Sequence, residues 1–326
     1  MNSVQQQDQR KIMSLLFCGF VFFATVAGSL LMGHVPWDAE IIAAIRLPRV
    51  CLAVLCGGSL ALAGWLCQGL FRNPLATPSI LGIESCAAFL GATWSLLTHH
   101  HLGFWSLPIA TMAGASILTS LLIYYGRKTP RAQSQLLILG FSLNALFGAL
   151  TSFSLAILAE DQPRDGTLLF WLFGDLASRD WVHTWMVCIA LLFGIPLARQ
   201  CIFPFQILAM GREHALSAGI DLRRIATIAL LSCGVLIGGS AAAAGSIPFV
   251  GFVAPLVTRK ILGSQHRLLP WVCMINGASL VCAADLAART VRHPYDLNVG
   301  LVVALVGTPI FIASLFFQKK ETGTYR

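Results

Sequence analysis

Apolar runs of about twenty residues recur along this chain from Ile12 to Phe317, and short polar turns separate them. A run of that length, rising about 1.5 Å per residue as a helix, crosses the ~30 Å hydrocarbon core of a bilayer. Backbone in lipid must satisfy its own N–H and C=O groups, so only helices and closed barrels qualify. Barrel strands read as alternating segments of about ten residues, and these runs do not alternate. The expected fold class is all-α: a polytopic integral membrane protein with about ten transmembrane helices.

The runs place helices at about 12–33, 48–70, 79–98, 105–125, 135–159, 182–198, 224–242, 247–262, 268–288 and 297–317. The first reads as an uncleaved span, too long for a signal h-region. The eighth is short and starts in Gly/Pro-rich sequence, so a tilted or partly re-entrant element fits it. No linker or repeat divides residues 1–326, which read as one transmembrane domain.

Composition agrees, at 56% hydrophobic and 11% charged. A soluble domain would need a surface of about 25–35% charged residues. The net charge of +8 belongs to the flanks of spans rather than to a nucleic-acid surface. Basic residues gather in cytoplasmic loops. With both termini cytoplasmic, only Arg46, Arg49, Arg164, Arg179, Arg289 and Arg292 fall outside, leaving 16 of the 22 Lys and Arg inside.

Little here resembles catalytic machinery. No GxxxxGK[ST] loop, HExxH or GxSxG is present, so nucleotide hydrolysis through a P-loop is excluded. The chain is not expected to be an enzyme and offers no catalytic residue. The ten cysteines lie in or beside apolar runs without a CxxC pair, and read as small buried hydrophobes rather than redox or metal groups. His99-His100-His101 point in different directions from one loop and make a poor preformed metal site. Asp285 precedes Arg289 by four residues, the spacing of a helix-face ion pair.

Two features invite more. Gly140, Asn144, Gly148 and Ser152 recur every four residues and form one small, polar stripe. Such a stripe either lets two helices pack closely or lines an aqueous path. The stretch at about 205–224 reads as an elbow. Residues 212–218 suit a short helix, Gly219 its C′ position and Asp221 the N-cap of the next helix. A cytoplasmic elbow of this kind is a candidate docking surface; a merely solvated loop is the plainer alternative.

Several motifs in order carry a family resemblance. They are Arg46-Leu47-Pro48-Arg49, the block GGSLALAGWLCQGLFRNPLATPSILGI at 57–83, Leu136 to Asn144, Ala243 to Pro255, His266 to Pro270, Ala284 to Arg289, and Gly300 to Phe311. Together they resemble the membrane subunit of the iron-chelate, haem and vitamin B12 importers of the ABC class. The chain departs from that pattern at Leu256, Asn298 and Glu84.

The resemblance implies a permease subunit of the bacterial inner membrane that imports a ferric chelate, such as a siderophore or ferric citrate, by alternating access. Import of haem or vitamin B12 is the alternative within the class. A secondary transporter or channel working without an ATPase is the alternative from another class, and a mid-span coupling charge would mark it. The implied partners are two cytoplasmic ATPase subunits, a second permease subunit (identical or related), a periplasmic substrate-binding protein and membrane lipid, with no nucleic acid. ATP and Mg would sit in the ATPases, and this chain would bind no cofactor. By the same resemblance, Arg46, Arg49 and Arg289 would dock the binding protein, or else anchor helix ends. Arg212, Glu213, Ala218 and Gly219 would couple to the ATPases. Asn73, Leu75 and Ser134 would form a cytoplasmic gate, and Gly140, Asn144, Gly148 and Ser152 would line the path.

Overall fold

The computed structural model describes residues 2–32, 40, 42–98, 105–128, 132–161, 171–177, 179–263, 266–291 and 296–322. Most of these residues are helical and none is in a strand, as the apolar runs require. Its helices are α1 (Asn2–Leu31), α2 (Leu47–Phe71), α3 (Ile83–Thr98), α4 (Ser106–Lys128), α5 (Ala132–Asp161), α6 (Trp181–Met210), α7 (Arg212–Ser217), α8 (Leu222–Ala244), α9 (Val250–Leu262), α10 (Leu269–Thr290) and α11 (Val299–Thr322). A π-turn at Ile42–Arg46 leads into α2, and a 3-10 turn at Pro78–Leu81 precedes α3. Among the described residues, seven spans are long and apolar enough to cross a bilayer; α3, α9 and the apolar part of α11, Val299–Ser314, are shorter.

α2 is the hub, with 83% of its span buried inside the chain. It packs on α10, α8, α6 and α9. Small residues make this possible. A Cβ on Gly57 would collide with the Gly277 backbone of α10, and one on Gly64 with the Gly251 backbone of α9. Lipid supplies no hydrophobic drive between helices, so close van der Waals approach over small residues has to hold them. Eight of the ten cysteines are buried and the other two half-buried, all of them free thiols. They serve as the small apolar groups expected.

Helix boundaries differ from the sequence reading in several places, with α1 beginning at Asn2 rather than at about residue 12. α6 continues through Arg199 to Met210, past Pro196 and Pro204, for 30 residues. That is about 45 Å of helix, so its last turns extend beyond a ~30 Å core. The elbow therefore begins at Gly211, not near 205. The third span opens with the 3-10 turn, so α3 proper has 16 residues. α9 has only 13 residues, about 20 Å. The short eighth element is confirmed, since that length cannot cross a bilayer alone.

The break before α9 is held together by backbone bonds. Gly245 and Phe249 both take positive φ, at 72° and 63°. Segment 171–177 lies against this break. Asp175 N donates to Ala244 O at 3.0 Å, and Val299 N donates to Gly174 O at 3.0 Å. Irregular backbone within a membrane protein persists only where its polar groups are met. Phe249 also packs on α11, with its ring centroid 6.5 Å from that of Phe311.

Candidate translocation path and coupling elbow

The elbow is built as its residues predict. Gly219 has φ 73°, the left-handed conformation that costs a residue with a Cβ roughly 1–2 kcal/mol. Gly219 N donates to Leu216 O and Ile220 N to Ala215 O, both at 3.0 Å. That pair of bonds is the Schellman closure of a helix. The Asp221 carboxylate then accepts from Arg223 N at 2.9 Å and Arg224 N at 3.1 Å, capping α8. Ala215 is fully buried, while Arg212, Glu213, His214, Leu216 and Ala218 face outward. The result is a short, rigid knob between two long helices.

The α5 stripe divides in two. Gly140 is buried, and a Cβ there would stand 2.6 Å from Ile80 O. Asn144 accepts from the Ser85 hydroxyl of α3. This half lets α5 pack on the Pro78–Leu81 turn, one of the two readings of the stripe. Gly148 has nothing within 4 Å of its would-be Cβ, and Ser152 is exposed with its hydroxyl on Gly148 O at 3.0 Å. This half is open.

The gate residues do not meet within one chain. Asn73 and Leu75 share one turn, where Leu75 N donates to Asn73 Oδ1 at 2.9 Å. Ser134 is exposed at the start of α5 and forms no hydrogen bond to that turn among the described residues.

Arg46, Arg49 and Arg289 do converge, but as an internal network. Arg49 meets Asp285 at 2.8 Å and Asp296 at 2.7 Å. Arg289 Nε lies 3.6 Å from Asp285, the i, i+4 pair anticipated. Arg289 also donates to Ser29 O at 2.6 Å, and Arg46 to Leu30 O at 3.1 Å. Arg46 and Arg49 are only 4% and 8% exposed. Arg49 and Arg289 face Asp285 and Asp296, and all three arginines bond to groups of this chain, which is the helix-anchoring alternative. Arg164 and Arg292, like His99–His101, lie outside the described residues.

Two site features escaped sequence reasoning. Asp296 gave no periodic signal that it would join Arg49. Glu84, a departure from the family pattern, opens α3 and lies near Ser246 and Ile247 of the break before α9. Among the described residues no cluster of His, Cys, Asp or Glu could hold a metal.

Comparison with known proteins fits this arrangement. The family model described as the FecCD transport family matches residues 12–317. The Fe(3+) dicitrate transport system permease protein FecD of Escherichia coli (strain K12) is 32% identical over 317 residues, covering 93% of this chain and 98% of the relative. The hemin transport system permease protein HmuU of Yersinia pestis is 33% identical, covering 85% and 83%. The vitamin B12 import system permease protein BtuC of Yersinia enterocolitica serotype O:8 / biotype 1B (strain NCTC 13174 / 8081) is 30% identical, covering 94% and 93%. A solved structure described as an inward-facing conformation of a metal-chelate type ABC transporter superposes with a TM-score of 0.83 at 26% identity, covering 93% of this chain and 99% of that one. With a family match that runs almost end to end over a bundle of the same shape, the chain belongs to the FecCD transport family of ABC transporter permeases.

Proposed function

We propose that this chain is the transmembrane subunit of an ATP-driven importer that carries a ferric chelate from periplasm to cytoplasm. One observation carries the mechanism: the rigid elbow of α7, closed by Gly219 and Asp221, with its outer face exposed. A knob rooted in α6 and α8 turns a push from outside the membrane into a tilt of those helices. The chain has no nucleotide loop of its own, so the push comes from two cytoplasmic ATPases that hold the ATP and Mg. Both chain termini and the elbow then face the cytoplasm of a bacterial inner membrane. A second permease subunit completes the path beside the open half of the α5 stripe at Gly148 and Ser152, and closes the gate at Asn73, Leu75 and Ser134.

A periplasmic binding protein delivers the chelate to the opposite face. The arginine cluster of Arg46, Arg49 and Arg289 orients it, since charge pairs across such an interface set on-rate and register more than affinity. Ferric citrate or a siderophore is the favoured cargo because FecD of Escherichia coli, a ferric dicitrate permease by name, matches over nearly its whole length. The test is reconstitution with ATPase and binding-protein partners, followed by uptake of ferric citrate, ferric siderophores, haem and cobalamin. ATP-dependent uptake of a ferric chelate is the expected result; uptake of haem or cobalamin alone would move the cargo assignment to that relative's class.

A further inference from the structure

A cavity of about 310 Å³ lies where α2, α6 and α9 end on the same side of the bundle. Gln68, Arg72, Arg259 and His266 line it, with Trp65 and Phe205 forming an aromatic wall whose ring centroids are 5.4 Å apart. No acidic residue is part of the lining. Neither guanidinium has an acidic partner among the described residues. His266 uses Nδ1 to accept from Leu268 N at 3.2 Å, which leaves Nε2 for another group.

Gln68 marks the cavity as a binding site rather than a crevice. It is 2% exposed, yet neither Nε2 nor Oε1 of its side chain has a protein partner. Buried amides with both ends unmet are costly and rare. The lining asks for a ligand that accepts strongly from guanidinium and amide N–H groups and returns a hydroxyl to Oε1. Inorganic hydrogen phosphate does this with its own P–OH, a phosphatidylglycerol headgroup does it with its phosphate oxygens and glycerol hydroxyls, and forked guanidiniums favour both. Basic pockets between membrane helices suit phospholipid headgroups.

We propose that this cavity binds a phosphate group between Arg72, Arg259 and Gln68, carried by an anionic lipid headgroup or free in solution. The cavity does not depend on the import reading: it would bind phosphate whatever the chain transports. Ala209 lies on its wall two residues before Gly211, so the ligand would sit at the root of the elbow.

The test uses the full chain purified from a membrane containing phosphatidylglycerol. Native mass spectrometry reads the lipid retained. Thermal unfolding in phosphatidylcholine nanodiscs reads the effect of added phosphatidylglycerol or of inorganic phosphate. Wild type should retain phosphatidylglycerol over phosphatidylcholine, and Arg72→Gln or Arg259→Gln should weaken that by about tenfold, the loss of one charged hydrogen bond. Gln68→Leu should fold at least as stably as wild type and still retain less lipid, which separates binding from folding. Stabilisation by phosphatidylglycerol alone identifies the lipid as source; stabilisation by inorganic phosphate, lost in Arg259→Gln, identifies the free anion. Equal lipid retention by wild type and the double arginine variant, with no phosphate effect on either, would overturn the proposal. So would stabilisation that appears only on adding ATPase subunits, which would make the cavity a seat for a protein side chain.

Discussion

Arg49 and Asp285 stand 236 positions apart in sequence and are joined by two contacts of 2.8 Å, from Nε and Nη2 to the same carboxylate oxygen. The pair pins α2 to α10 within the arginine cluster. Asp285 is fully buried. Removing one partner of an isolated buried pair costs about 3–5 kcal/mol; here Asp296 remains beside Arg49 and Arg289 beside Asp285, so the loss falls below that range. Arg49→Ala and Asp285→Ala should each lower the detergent thermal midpoint sharply. The double change Arg49→Met with Asp285→Leu should be milder than either, because both charges go together. Additive losses in the double variant would argue against a coupled pair.

Gly219→Ala should destabilise by roughly 1–2 kcal/mol, since φ is 73° and the surroundings are open. The strain falls on the elbow. Transport per ATP hydrolysed should fall further than thermal stability does. Unchanged coupling would separate the Schellman closure from function.

Glu213→Arg reverses an exposed charge on the knob. Surface changes of this kind cost little stability, about 0.5 kcal/mol or less. The expected result is a normally folded permease whose partner ATPases turn over without uptake. Full uptake would exclude Glu213 from the coupling surface.

The two halves of the α5 stripe should respond differently to bulk. Gly140→Leu must displace the Ile80 carbonyl, 2.6 Å from its Cβ, and should reduce folded yield. Gly148→Leu enters open space, so yield should hold while chelate uptake drops. Equal yields for the two variants would mean that Gly140 is not a packing position.

Local features were the legible ones. The elbow could be read ahead because Gly219 and Asp221 act on backbone within a few residues. The Asp285–Arg289 pair was visible for the same reason. Helix ends were read less well: the expected end of the sixth span at about 198 is too early, since tertiary packing on α8 and α2 carries α6 on to Met210. The Arg49–Asp285–Asp296 network lay beyond reach, because sequence spacing says nothing about which helices become neighbours. The same limit hid the orphaned Gln68, whose surroundings come from three separate helices.

The most direct test of the account is uphill transport in sealed vesicles. Vesicles holding this chain, its ATPases and a binding protein should concentrate a ferric chelate only when ATP is supplied on the elbow side, and vesicles holding this chain alone should not. Accumulation against a gradient by the chain alone would contradict the account.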